Sequence, residues 1–252
     1  MNKSHKINEF LKILDDVLTE QLESITEATL AFSGGIDSSL LAFLVSKKIK
    51  LELLTVCLKD SHDYIVATET ASLLSLPLRL KTPTEKEIIY EYHELKNLLE
   101  NTNRMELSFM LPLYICVKES RTKNIISGQG ADELFGGYSR YLKLSQEQLN
   151  DILKTDVETL NVVVQKREYI IANKFQKKLL LPYLDRRIIE FGFRLSSEEK
   201  IFNGKRKIFL RDVMKKLGLP ERIYSREKKA AQYSSGIWKV VHRASCIVPP
   251  ES

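Results

Sequence analysis

Apolar residues recur at Ile7, Phe10, Leu11, Leu14, Val17 and Leu18, the three-and-four spacing of a helix with one buried face. This predicts a leading amphipathic helix over 7–22. A short apolar run follows at 28–32 and ends in Ser33-Gly34-Gly35, and from Ser38 the positions Leu40, Leu41, Leu44 and Val45 return to helical period. The order is therefore strand, glycine turn, helix. Further strands are predicted at 51–58, 76–80 and 124–127, with helical patterns between them. Strands alternating with helices imply a parallel sheet with right-handed crossovers. Beyond Tyr141 strand signals fade, and 144–175, 186–195 and 206–217 all read as helices. The pattern predicts an α/β fold, a doubly wound, mostly parallel sheet with a helical C-terminal half.

Length adds a bound. At 252 residues the chain can bury a full core and suits one domain, spanning 1–252: a leading helix to about residue 27, an α/β core over 28–141 and a helical part over 142–245. No apolar run approaches the roughly 20 residues that span a bilayer, and the first nine residues lack the apolar core of a signal peptide. A cytoplasmic protein with no membrane partner is expected. Cys57, Cys116 and Cys246 lie far apart with no CxxC pair, so nothing signals structural zinc, an iron–sulfur cluster or a redox dithiol. The net charge of +6 is spread along the chain, with small clusters such as Lys205-Arg206-Lys207, and lacks the interleaved aromatics of a base-stacking surface. That weighs against nucleic acid as a partner.

Chemistry concentrates in two glycine-rich segments. Ser33-Gly34-Gly35-Ile36-Asp37-Ser38-Ser39 lies where an anion-binding loop belongs, after a buried strand and at a helix start. Two glycines let the backbone turn its N–H groups inward, and Ser33 and Ser38 add hydroxyl donors. The loop lacks the lysine of the GxxxxGK[ST] phosphate loop. An acid beside a polyphosphate needs a bridging cation, which makes Asp37 a candidate Mg²⁺ ligand; helix capping by Asp37 is the plainer alternative. The second segment, Ser127-Gly128-Gln129-Gly130-Ala131-Asp132-Glu133-Leu134-Phe135-Gly136-Gly137-Tyr138, follows the strand at 124–127. Ligands of open parallel sheets bind at the carboxyl ends of strands, so this segment should face the first and offer Asp132 as a second metal carboxylate.

The first loop resembles that of the SGGxDS ATP pyrophosphatases. SGGIDSS followed about ninety residues later by SGQGADELFGGYSRY is similar to the synthetase domain of the asparagine synthetase family, which includes the β-lactam synthetases. Leu181-Pro182-Tyr183-Leu184-Asp185 resembles the family's PFLD element, and Leu219-Pro220 through Arg226-Glu227-Lys228 its LP…R.K element. The resemblance implies an adenine nucleotide alpha hydrolase-like fold and a C–N ligase using ATP and Mg²⁺: a carboxylate is adenylated with release of pyrophosphate, and ammonia or an amine then displaces AMP. It implies that Lys228 is the catalytic lysine, with Lys229 as a rival. It also implies that Ala31, Ser33, Gly34, Gly35, Asp37, Ser38, Ser39, Val56, Ser127 and Gly128 hold ATP.

Two departures stand out. Full-length asparagine synthetases begin, after Met removal, with the nucleophilic cysteine of a glutaminase domain; this chain begins Met1-Asn2-Lys3 and reaches the first loop by residue 33. No fused glutaminase is expected, and nitrogen would come from free ammonia, another amine or a separate glutaminase subunit. Gln129 stands where bacterial asparagine synthetases carry a glutamate linked to intermediate formation. Glutamine can orient a substrate but cannot take a proton, and Glu133 and Glu227 are the candidate substitutes. Two other readings stay open: an SGGxDS tRNA-modifying enzyme, and a nucleotide-binding partner subunit with little activity. His5, His62, His93 and His242 fall in no motif and read as packing or surface residues. Tyr138 and Tyr141 either line the substrate pocket or pack the glycine loop. The helical half offers a surface for a homodimer.

Overall fold

The computed structural model describes residues 2–100, 102–160, 164–226 and 234–247. The leading helix α1 runs Lys3–Leu22, its first turn closed by the Asn2 side chain, and buries Ile7, Phe10, Leu14, Val17 and Leu18 of the predicted stripe together with Leu22, while Leu11 is half-buried. Strand β1 (Glu27–Ala31), helix α2 (Ile36–Val45), strand β2 (Lys50–Val56), helix α3 (His62–Leu73) and strand β3 (Leu78–Lys81) alternate as expected. Two helices, α4 (Glu85–Leu98) and α5 (Arg104–Glu119), then lead to β4 (Asn124–Ile126). A short α6 (Ala131–Phe135) is followed by α7 (Gln146–Thr159), α8 (Gln165–Lys174) and β5 (Lys178–Leu180).

These five strands form one parallel sheet in the order β3-β2-β1-β4-β5. The chain builds outward from β1 through β2 to β3, then crosses back to place β4 on the other side of β1. The order therefore reverses between β1 and β4, and the crevice at their carboxyl ends is where such sheets bind ligands. Both glycine segments follow these two strands.

The rest of the chain is α9 (Arg186–Arg194), α10 (Ser197–Lys200), a two-stranded antiparallel hairpin of β6 (Ile201–Phe202) and β7 (Lys205–Arg206), α11 (Ile208–Lys216), α12 (Glu221–Tyr224) and α13 (Ile237–Ile247). Helices cover both sheet faces. One core gathers α1, α2, α9 and α11 around Phe10, Leu40, Phe191 and Phe209; the other gathers α4, α5, α8 and α13 around Ile88, Leu111, Ile171 and Ile237. Among the described residues no helix is long and apolar enough to cross a membrane.

The fading of strand signals beyond Tyr141 is corrected by β5, which pairs with β4 at Asn124↔Lys178 through Ile126↔Leu180. Three residues are too few to show a period, and Lys-Leu-Leu carries no β-branched residue. The expected helix over 144–175 is instead two, α7 and α8.

Candidate functional site

Strand β1 delivers the chain into Ser33-Gly34-Gly35, and α2 begins at Ile36 with Gly35 as its N-cap and no side-chain cap. The first loop is tied to itself: the Ser33 amide and hydroxyl lie 3.3 Å from Ser38 Oγ, and the Gly35 amide donates to Ser33 Oγ at 3.3 Å. Gly34 has φ +70°, and a Cβ there would come within 2.8 Å of the Ala67 and Val66 backbone, so the loop lies against α3 in a way that only glycine permits. Thr70 Oγ1 donates to the Gly34 carbonyl from the same helix. Ser39 is fully buried beneath the loop.

Asp37 does not cap α2. Its carboxylate turns across the crevice to the ammonium of Lys207, and the same ammonium lies 2.6 Å from Asp132 Oδ1. Lys207 is 2% exposed and adopts a left-handed backbone, φ 57°, at the N-cap of α11. The two expected metal carboxylates thus converge on one buried cation. Gly137 makes this approach possible, since a Cβ there would lie 1.7 Å from Asp132 Oδ1 and 2.4 Å from Lys207 Cε. Gly128 brings the second loop onto the first: its Cβ position is 3.5 Å from Asp37 Cβ and 3.6 Å from the Ser38 amide. Tyr183, fully buried in the LPYLD segment, donates its hydroxyl to the Asp37 carbonyl at 3.1 Å. Asp185 of that segment caps α9 through the Arg187 amide and pairs with the Arg187 guanidinium, a structural role.

A cavity of about 110 Å³ opens beside the first loop. Ser33, Gly34 and Gly35 line it together with the cations of Arg206, Lys207, Arg211 and Arg226, and His62, Ser234 and one carboxylate, Asp63, share the lining. Arg206 donates to the Gly137 carbonyl at 2.8 Å and Arg226 pairs with Glu69 at 2.6 Å, so both guanidiniums are anchored. Loop amides, hydroxyls and four cationic side chains in one small concavity suit a polyphosphate. Asp37 and Asp132 are hard oxygen donors, and among the described residues no group of three or more His, Cys, Asp or Glu could hold a metal. Two carboxylates with phosphate oxygens and water completing the shell is the usual arrangement for Mg²⁺. Lys207 already holds a positive charge between them. The donor set therefore fits Mg²⁺ brought in with a phosphate ligand.

Behind Asp132 lies a second acidic group. Glu133 is buried and accepts a hydrogen bond from the Tyr138 hydroxyl at 2.6 Å; burial, reinforced by the Asp132 charge, pushes its carboxyl up to about 7. Glu168 on α8, 4% exposed, is pushed up to about 8 by burial and then by Glu133. The Tyr138 hydroxyl donates to Glu133 and the buried Tyr141 donates to Asp156 of α7, so the pair ties the end of the glycine segment to that helix and lines no part of the cavity. Burial drives the Tyr138 phenol far above its ordinary range.

Ala31, Val56 and Ser127 sit at or just beyond the carboxyl ends of β1, β2 and β4, three adjacent strands. Gln129 is half-buried between Gly128 and the left-handed Gly130. Lys228, Lys229 and Glu227 lie outside the described residues. Two groups escaped sequence reasoning. Lys207 was legible only as part of a basic cluster, and His62, read as a packing or surface residue, lines the cavity. The order of acid, glycine and lysine in sequence does not reveal which lysine is buried.

Residues 9–182 and 178–245 match the asparagine synthase family. A protein assigned as glutamine-hydrolysing asparagine synthetase 1 in Methanocaldococcus jannaschii is 29% identical, over 93% of this chain and 50% of its own length. Glutamine-hydrolysing asparagine synthetase B of Escherichia coli is 24% identical over 91% of this chain and 45% of its own. The chain thus spans half or less of these relatives. Among solved structures, the NH3-dependent NAD synthetase of Campylobacter jejuni aligns over 91% of this chain and 99% of its own, at 17% identity and a TM-score of 0.39.

Proposed function

Because the chain belongs to the asparagine synthase family, we propose that it is an ATP-dependent ligase that adenylates a carboxylate and joins the activated acyl group to ammonia or an amine. The observation that carries this reading is the convergence of Asp37 and Asp132, from the loops after β1 and β4, on the buried Lys207 beside a cavity ringed by arginines.

In the first step a carboxylate oxygen of the acid forms a bond to the α-phosphorus of ATP and the α–β bridging P–O bond breaks, its electrons leaving with pyrophosphate. The loop amides and the Ser33 and Ser38 hydroxyls hold phosphate oxygens in place. Arg206, Arg211 and Arg226 face the cavity where the departing pyrophosphate gathers charge, and fixed cations in a partly enclosed site favour that charge strongly. Asp37 and Asp132 would hold Mg²⁺, which supplies charge neutralisation when bound. Lys207 then moves its charge from these carboxylates toward phosphate. Lys228, by its family position, serves the same developing charge. Adenine lies along Ala31, Val56 and the Ser127-Gly128 backbone.

In the second step the nitrogen attacks the acyl carbon, AMP leaves with the C–O bonding pair, and one proton leaves the nitrogen. Gln129 orients the acid or the amine by hydrogen bonds. Nitrogen arrives as free ammonia, as an amine, or from a separate glutaminase subunit; as a homodimer or alone, one chain carries both steps in a single domain.

The test is ATP–pyrophosphate exchange with Mg²⁺ across a panel of carboxylic acids that includes aspartate, with bulk tRNA as a separate condition. Exchange with one acid, falling on the order of a hundredfold in Asp37→Ala, is expected. Exchange with tRNA alone, or no exchange while ATP still binds, would sink the reading.

A further inference from the structure

Lys200 ends α10 with 2% of its surface exposed and lines none of the cavity beside the first glycine loop. Its side chain makes no hydrogen bond or ion pair among the described residues. A buried lysine is ordinarily paired, because an unpaired ammonium out of water is costly. The acid whose charge supports it, Glu199, is engaged elsewhere: both its oxygens lie 2.7 Å from Lys6 Nζ, and one accepts from the Ser196 amide at 2.9 Å. Burial accordingly pulls the Lys200 ammonium down to about 8.

Lys200 lines an open hollow of about 700 Å³ between α7, α9 and α10. Phe193, 42% exposed, and Leu195 give it an apolar wall, while Lys154 and Asp151 stand on the α7 side. Arg194 in the same wall is held by Glu9 at 2.6 Å, so no free guanidinium fork is offered to a phosphate. A single unpaired ammonium beside an apolar surface matches a different anion.

We propose that this hollow is a second ligand site, taking a small organic carboxylate whose charged end meets the Lys200 ammonium and whose apolar body lies against Phe193 and Leu195. Binding supplies the buried cation with the partner it lacks. The occupant would touch the segment that continues into the β6–β7 hairpin, whose far end carries Arg206 and Lys207. Lys200 Cβ also lies 3.3 Å from where a Cβ of Gly136 would be, next to the loop that holds Asp132.

The experiment is calorimetric titration of the purified chain, without nucleotide, with butanoate, acetate, neutral butyramide and inorganic phosphate at matched ionic strength. Butanoate should bind with a Kd on the order of millimolar, more tightly than acetate, with no binding of butyramide. Lys200→Met should abolish it, Lys154→Ala weaken it a few-fold, and Asp37→Ala leave it unchanged. If Lys200→Met fails to fold, protection of Lys200 from acetic anhydride by butanoate, read by peptide mass spectrometry, carries the test. Phosphate binding equal to butanoate, butanoate binding intact in Lys200→Met, or no protection would overturn the proposal. Nucleotide is absent throughout, so this outcome and that of the ligase reading are separable.

Discussion

Lys207 holds two carboxylates together that would otherwise repel across the crevice. Removing one partner of a buried charge group strands the others, typically at about 3–5 kcal/mol. Lys207→Met should therefore lower stability by roughly that amount in the absence of divalent cation. If Asp37 and Asp132 are Mg²⁺ ligands, the variant leaves them open to it, and Mg²⁺ should raise its Tm by more than it raises the wild type's. Thermal melts of both proteins with and without Mg²⁺ decide the matter; equal shifts would remove the carboxylate pair from the metal site. Glu168 permits a second test. An acid whose folded pKa is raised keeps its proton in the folded state at a pH where the unfolded chain has lost it, so stability falls as pH rises from 4.5 to about 8 and is flat above. Its neighbour Glu133 shifts in the same direction. Glu168→Gln removes the titration, and the Tm advantage of the variant should grow by several degrees across that window. A difference independent of pH would mean that Glu168 ionises freely in the folded protein.

At the scale of elements, the site is positioned by an aromatic cluster. Phe10 of α1 meets Phe135 at 5.6 Å, Phe191 at 5.3 Å and Phe209 at 5.4 Å. Phe135 closes the α6 turn that carries Asp132, and Phe209 follows Lys207 by two residues, so α1 braces both halves of the ion group. Phe10→Ala should destabilise by about 3–5 kcal/mol in urea titration, and it should weaken ATP binding although Phe10 does not line the cavity; ATP affinity unchanged in the folded variant would deny the brace. The stripe on α1 and the strand-turn-helix at 28–45 were legible because their periods run long enough to be unambiguous. Strand β5 was not, since its identity comes from pairing with β4 and not from its own residues. Lys207 was hidden for a related reason: three basic residues in a row look alike, and only the left-handed backbone at the start of α11 turns one inward. That Asp37 and Asp132 come together was legible because each follows a glycine-rich turn after one of two adjacent strands at the middle of the sheet.

For the whole molecule, the decisive feature is that one sheet separates two apolar cores, one built on α1, α2, α9 and α11, the other on α4, α5, α8 and α13. The crevice that holds Asp37 and Asp132 lies where strands shared by both cores end. If the chain is one domain, neither core can melt while the sheet persists, because β1, β2 and β4 lose a covered face as soon as either helical layer leaves. Trp238, the single tryptophan, sits on α13 and stacks on His242 at 5.4 Å, so its fluorescence reports the second core. Far-UV circular dichroism reports helices on both sides. Urea titrations followed by the two signals should give coincident transitions with one midpoint and one slope. An earlier fluorescence transition would show that the α13 layer detaches first, dividing the chain into two cooperative units. Such a division would matter for the proposed catalysis, since only three residues separate α13 from the 227–233 segment that contains Lys228, and a layer able to leave independently would carry that lysine away from the loops it is proposed to serve.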